Sequence, residues 1–225
     1  MISKEITFRA SDGKDILGYK WSPDSAADTK AVVQLVHGMA ETAIRYERFA
    51  KKLTESGYVV YAYDQRGHGK TAGSLDEVGY IAVKDSLQLL VDDQHHITES
   101  IVKKNPGMPL FLFGHSMGSF VAQSYIQLYG KDLTGAVLSG SNGKGGIILD
   151  IGKILAKGEI KKVGRKTRSP KLNNLSFGTY NNAFKPNRTA FDWLSRDNAE
   201  VDKYIADPYC GGVFTAGFYL DMILL

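Results

Sequence analysis

PLFLFGHSMGSF, Pro109–Phe120, decides the fold. An apolar run breaks into Gly114-His115-Ser116-Met117-Gly118, and a second apolar-rich segment follows at once. This G-x-S-x-G spacing puts a serine on a sharp turn between a strand and a helix. The small residues let the backbone take that turn, and the helix N-terminus faces developing negative charge. Ser116 is the candidate nucleophile. A serine hydroxyl is weak by itself, so some other residue has to take its proton.

Working outward, AVVQLVHG (Ala31 to Gly38) and YVVYAYDQ read as buried strands, and LTGAVLSGSN as a further buried strand. EITFRA and ILGYKW flank Ser11-Asp12-Gly13-Lys14 as a hairpin. Tyr46, Phe49, Ala50 and Leu53 recur at helical spacing before Gly57. Leu87, Leu90, Val91, Ile97 and Ile101 trace a long helix closed by Asn105-Pro106-Gly107. The helix after Ser116, MGSFVAQSYIQLYG, is apolar on most sides. Strands alternating with helices of this length predict an α/β fold, a mostly parallel sheet with helices on both faces. Such sheets carry their chemistry at the carboxyl ends of the strands, where His37, Asp64, Ser116 and Asn142 stand.

The rhythm breaks after Asn142. Residues 143–207 are expected to form a helical cap, with Ile147, Ile148, Ile151, Ile154 and Leu155 on one helical face as the apolar lining of an acyl site. Ser169-Pro170 opens an expected loop-rich piece, and TAFDWLSRDNAEVDKYI reads as a helix. Residues 208–225 return to the core as a helix that ends without a closing signal. The predicted division is 1–142 core, 143–207 cap and 208–225 return helix.

Composition narrows the function. The 225 residues are 43% apolar and carry a net charge of +4, yet residues 151–171 hold eight Lys or Arg against one Glu, a local +7. One basic segment on a mildly acidic body excludes a whole-surface nucleic-acid binder and leaves weak contact with anionic lipid as a reading. The single cysteine, Cys210, forbids an internal disulfide and fits a cytoplasmic protein. MISKEITFRASDGKD has no apolar signal region, and no run of about 20 apolar residues suggests a membrane span.

A tetrahedral oxyanion needs two donors. The backbone N–H of Met117 is one, and VHGM (Val36 to Met39), ending the first buried parallel strand, offers that of Met39 as the other. HGMAETAIRYERFAKKLTESGYVVYAYDQRGHGKT, GHSMGS and LSRDNAEVDKYIADPYCGG together resemble the α/β-hydrolases of the monoacylglycerol lipase and lysophospholipase type, also called serine aminopeptidase-like. The resemblance runs from about Ile6 to Asp221. It implies a doubly wound hydrolase sheet, a helical cap, and a Ser–His–Asp triad without metal or organic cofactor. It matches Ser116 to the nucleophile and Met39 and Met117 to the oxyanion hole. Ser119 departs from it, standing where a second glycine is common.

The base is the larger departure. In this fold the order is Ser, then Asp or Glu, then His, but His37, His68, His95, His96 and His115 all precede Ser116. Two βα units of about 30 residues each would carry the acid and the histidine, so the last strands, the triad Asp and the triad His are expected to be absent from this chain. His115 is expected to point away from Ser116, His37 to steady the oxyanion loop, His68 to sit in a turn shaped by its glycines rather than to substitute as base, and His95-His96 to be a solvated pair. SGSNGKGG lacks the spacing of a phosphate loop and reads as a hinge.

The expected function is a serine ester hydrolase on a small apolar ester, monoacylglycerol or lysophospholipid. The same-fold dehalogenases and epoxide hydrolases attack with a carboxylate, which position 116 lacks. The alternatives are a serine aminopeptidase using Glu159 or Glu200 to receive the substrate amine, and a non-catalytic scaffold for a small ligand.

Overall fold

The computed structural model describes residues 1–25, 27, 29–83, 85–143 and 145–224; Lys144, within the expected hinge, lies outside the described residues. Alternating side chains build a six-stranded sheet in the order β1-β2-β4-β3-β5-β6. Its strands are β1 (Ile2–Arg9), β2 (Asp15–Ser22), β3 (Ala31–Val36), β4 (Tyr58–Tyr63), β5 (Leu110–His115) and β6 (Gly135–Ser139). β1 and β2 form the expected hairpin, Phe8 opposite Ile16, and β3 to β6 run parallel. The mostly parallel α/β sheet is as predicted.

Period-two alternation sorts the core into two layers. Val32, Val36, Val59, Tyr61 and Tyr63 face α2 (Ser86–Lys104) and α3 (Met117–Tyr129), where Leu90, Ile97, Val121 and Tyr125 pack. Val33, Leu35, Val60 and Ala62 face α1 (Glu47–Glu55) through Ala50. Each layer buries several aliphatic side chains at about 1.5–3 kcal/mol apiece, which holds the strand ends still for chemistry.

Four further helices follow: α4 (Ile147–Val163), α5 (Pro170–Phe177), α6 (Asn198–Ala206) and α7 (Ala216–Ile223). A third cluster gathers Ala156, Leu172, Phe214, Phe218 and Tyr219 over Ala72, Val78 and Met117, tying this region to the strand ends. Arg165 reinforces it with a bidentate pair to Asp221 at 2.8 and 2.7 Å. Among the described residues no helix is long and apolar enough to cross a membrane.

The structure corrects five expectations. β6 is not buried: Val137 is 53% exposed, because among the described residues the strand pairs with β5 alone and stands at the edge of the sheet. The apolar face of α4 points to solvent, with Ile148 82% exposed, because the helix packs on α7 through other positions, including Gly152 against Ile223. The piece expected to be loop after Ser169 is helical, since Ser169 Oγ accepts the Leu172 N–H at 3.2 Å and Pro170 sits in the first turn, where its missing N–H costs nothing. The helix read from TAFDWLSRDNAEVDKYI begins only at Asn198. The Asp192 carboxylate draws the Arg188 and Thr189 N–H groups into a turn at 2.6 and 3.0 Å, and Asp197 caps α6. Finally, His95 is half-buried and stacks on Tyr129 at 3.8 Å between centroids, whereas its neighbour His96 is exposed, as expected of it.

Candidate active site

The penultimate residue of β5 is glycine, Gly114, because α3 turns back onto it. A Cβ on Gly114 would stand 2.6 Å from the Gly118 carbonyl oxygen. Between them Ser116 takes φ 50 and ψ −120, a left-handed conformation that a residue with a Cβ holds only when its neighbours compel it. The neighbours are identifiable. The Ser116 N–H donates to the Ser139 carbonyl at 2.8 Å, and the Ser116 carbonyl accepts from Ser119 N–H at 2.8 Å and Ser119 Oγ at 2.6 Å. Ser119, the departure from the family pattern, thus braces the turn with its hydroxyl. The Ser116 side chain is left half-exposed.

The end of β3 lies beside it. A Cβ on Gly38 would come within 3.2 Å of Ser116 Cβ and 2.8 Å of Glu41 Oε1, so only glycine fits this approach. The Gly38 N–H donates to Glu41 Oε1 at 2.6 Å, and Tyr46 Oη donates to the same oxygen at 2.8 Å. His37 fixes the turn from the other side. Its Nδ1–H donates to the Gly38 carbonyl at 2.7 Å while Nε2 accepts the Gln65 N–H at 3.0 Å, which settles the tautomer. The hydrogen bond expected of His37 to this turn is present. Among the described residues nothing accepts from the Met39 or Met117 backbone N–H, and Met117 opens α3, where first-turn amides have no helical partner.

The other sequence candidates are committed elsewhere. Asp64, at the end of β4, accepts from the Ala43 and Lys70 amides at 2.8 and 2.9 Å and so pins two loops. His115 Nδ1 is hydrogen-bonded to Ser139 Oγ at 3.1 Å, away from Ser116 as expected. Glu159 accepts from Ser169 Oγ at 3.1 Å, and Glu200 pairs with Lys203 at 2.9 Å and Arg48 at 3.3 Å. Among the described residues no group of three or more His, Cys, Asp or Glu side chains could hold a metal. Glu41 and Gln65 escaped the sequence reading. Glu41 could have been found three residues after Gly38, but Gln65 meets His37 only through the pairing of β3 and β4.

His68 is fully buried among His37, Phe214 and Phe218, with ring centroids 5.1, 4.9 and 6.0 Å away. Its Nδ1–H donates to the Arg66 carbonyl at 3.1 Å, and Nε2 finds no partner among the described residues. Burial, aided by His37, pushes its pKa down from 6.5 to about 3. The unfolded chain therefore binds a proton on His68 between those values and the folded chain does not. Stability is complete above pH 6.5 and falls as pH drops towards 3, by up to about 1.4 kcal/mol per pH unit from this residue. Urea midpoints across that range should show the slope, and His68→Phe should flatten it; an equal slope in both proteins assigns it elsewhere.

Comparison with known proteins sets this geometry in a family. The family model described as serine aminopeptidase, S33, matches residues 27–225. The monoacylglycerol lipase of Mycolicibacterium smegmatis is 32% identical over 68% of this chain and 54% of its own length. The human monoglyceride lipase is 32% identical over 88% of this chain and 57% of its own, so the chain spans about half the length of these relatives. A thermostable carboxyl esterase from Bacillus coagulans superposes on all of this chain and 73% of its own, with a TM-score of 0.85 at 26% identity. The chain belongs to the S33 serine aminopeptidase family and has the α/β-hydrolase fold.

Proposed function

We propose that this protein is a serine ester hydrolase acting on carboxylic esters with an apolar acyl chain, of the monoacylglycerol or lysophospholipid type. The observation that carries the proposal is a strained, half-exposed Ser116 beside two uncommitted backbone donors, Met39 and Met117. Ser116 Oγ attacks the ester carbonyl, the two amides receive the oxyanion, and water then releases the acyl group. The likeness to monoacylglycerol lipases supports the substrate class. His37, His68 and His115 spend their ring nitrogens or their packing on groups other than the Ser116 hydroxyl, and His95 and His96 belong to α2. We therefore assign hydrolysis by these 225 residues mainly to the oxyanion donors, at about 10³–10⁴-fold over the uncatalysed rate.

Residues 143–207 are proposed as the cap. Exposed Ile147, Ile148 and Ile154, with exposed Lys157, Lys161 and Lys162 further along α4, support weak contact with anionic lipid. A single free cysteine supports a cytoplasmic location.

The aminopeptidase reading has the family description in its favour, but the ion pairs and hydrogen bonds that occupy Glu159 and Glu200 leave the substrate amine without a carboxylate there. Comparing a C8 ester with an amino-acid amide separates the readings: the ester is expected to react at least about tenfold faster. Preference for the amide would install the peptidase, and inertness towards both would leave the small-ligand scaffold.

A further inference from the structure

The turn that offers Met39 N–H is held by more than its own strand. Ala40 sits at φ 57, a second left-handed residue with a Cβ. Two donors from the far end of the chain meet its carbonyl. Tyr204 Oη of α6 donates at 2.8 Å, and the Gly211 N–H donates at 2.9 Å. Both donors are themselves fixed. The Tyr204 ring is buried beneath the Arg45 guanidinium, 4.5 Å from the centroid, and meets Phe191 edge-on at 5.1 Å. Gly211 takes φ 70, and a Cβ there would stand 3.0 Å from Phe191 Cζ and 3.2 Å from Tyr204 Cε1.

The bonds hold the turn on both sides of Met39. Gly38 N–H goes to Glu41, Gly38 C=O to His37, and Ala40 C=O to Tyr204 and Gly211. Between these held groups, the Met39 N–H has no acceptor among the described residues. We infer that Tyr204 and Gly211 are positioning residues for the oxyanion turn: their grip on the Ala40 carbonyl keeps the Met39 N–H aimed at the place where ester oxygen becomes negative. The inference rests on Met39 being an oxyanion donor. Its consequence is that α6 must be docked for that donor to be in place, so displacement of α6 switches off half of the oxyanion hole without touching Ser116.

Tyr204→Phe tests this, because it deletes the hydroxyl and keeps the ring between Arg45 and Phe191. Arg48→Ala is the control: it breaks the Arg48–Glu200 pair at 3.3 Å between α1 and α6 without reaching Ala40. Hydrogen exchange is read at the amides of residues 38–41, against residues 110–115 of β5, together with turnover of a C8 ester. In Tyr204→Phe, exchange at the turn should rise about three- to tenfold, that of β5 should stay constant, and kcat should fall by a similar factor at constant KM. Arg48→Ala should change none of these. Unchanged exchange at the turn in Tyr204→Phe overturns the inference, as does an equal rise in Arg48→Ala. A raised KM at constant kcat overturns it as well, by making Tyr204 a substrate contact, and so does raised exchange with unchanged turnover. Should the wild-type chain hydrolyse no ester, the hydrolase reading fails separately, and exchange alone decides whether Tyr204 holds the turn.

Discussion

Ser116→Ala should abolish covalent modification by a fluorophosphonate. The wild-type chain is expected to gain the probe's mass on the peptide carrying Ser116, and the variant to gain none at any pH from about 6 to 9. A probe that modifies both proteins equally, or neither, would remove Ser116 as the nucleophile. Turnover of a C8 ester by the same pair asks a second question. Members of a catalytic unit are not additive: once one is missing, deleting another changes little. His37 and His115 are hydrogen-bonded elsewhere, His68 is sealed behind Phe214 and Phe218, and His95 and His96 lie on α2. The expected change in ester turnover is therefore less than about threefold, with the residual rate coming from the oxyanion donors. A fall of about 10³-fold or more would mean that some base does reach Ser116.

Gly118→Ala should cost most in stability. The added Cβ would lie 2.5 Å from the His37 carbonyl oxygen and closer still to that of Val36. These are backbone atoms at the end of a fully buried strand and cannot swing aside as a flexible side chain would. Overpacking of this kind costs about 3 kcal/mol or more, and for a chain of this size about 2–4 °C of Tm accompanies each kcal/mol. A melting point lowered by roughly 10 °C is expected. The same displacement would separate the Met39 and Met117 amides, so ester turnover should fall as well. Gly143→Ala is the matched control, since a Cβ there meets nothing within 4 Å. Equal melting points for the two variants would mean that α3 does not rest on β3 as closely as described.

Much of the fold was legible because its signals are local. The apolar run from Ala31 to Val36, ending in His37-Gly38, and the GHSMGS turn need only neighbouring residues to declare strand, turn and helix, and His115 was placed correctly by the same alternation. Two of the misreadings share a cause. The burial of β6 was inferred from its apolar residues, but burial depends on what lies across from them, and among the described residues β6 has a neighbour on one edge alone. The apolar face of α4 was taken as a lining for the same reason. Ser169-Pro170 was read as a loop because a proline breaks a helix everywhere but at its start, and the chain alone did not say which position this was.

The amino-acid sequence by itself determined the parallel α/β core, the strained serine and the candidate donors, since each is written within a few adjacent residues. Only the tertiary structure decided which of them are free to act. Tyr204 reaches the Ala40 carbonyl from 164 positions away, His37 meets Gln65 across two paired strands, and His68 loses its proton affinity to aromatic rings delivered by residues 214 and 218. Hydrogen-bond commitment and desolvation are properties of a surrounding, and a surrounding is assembled by packing rather than by order along the chain.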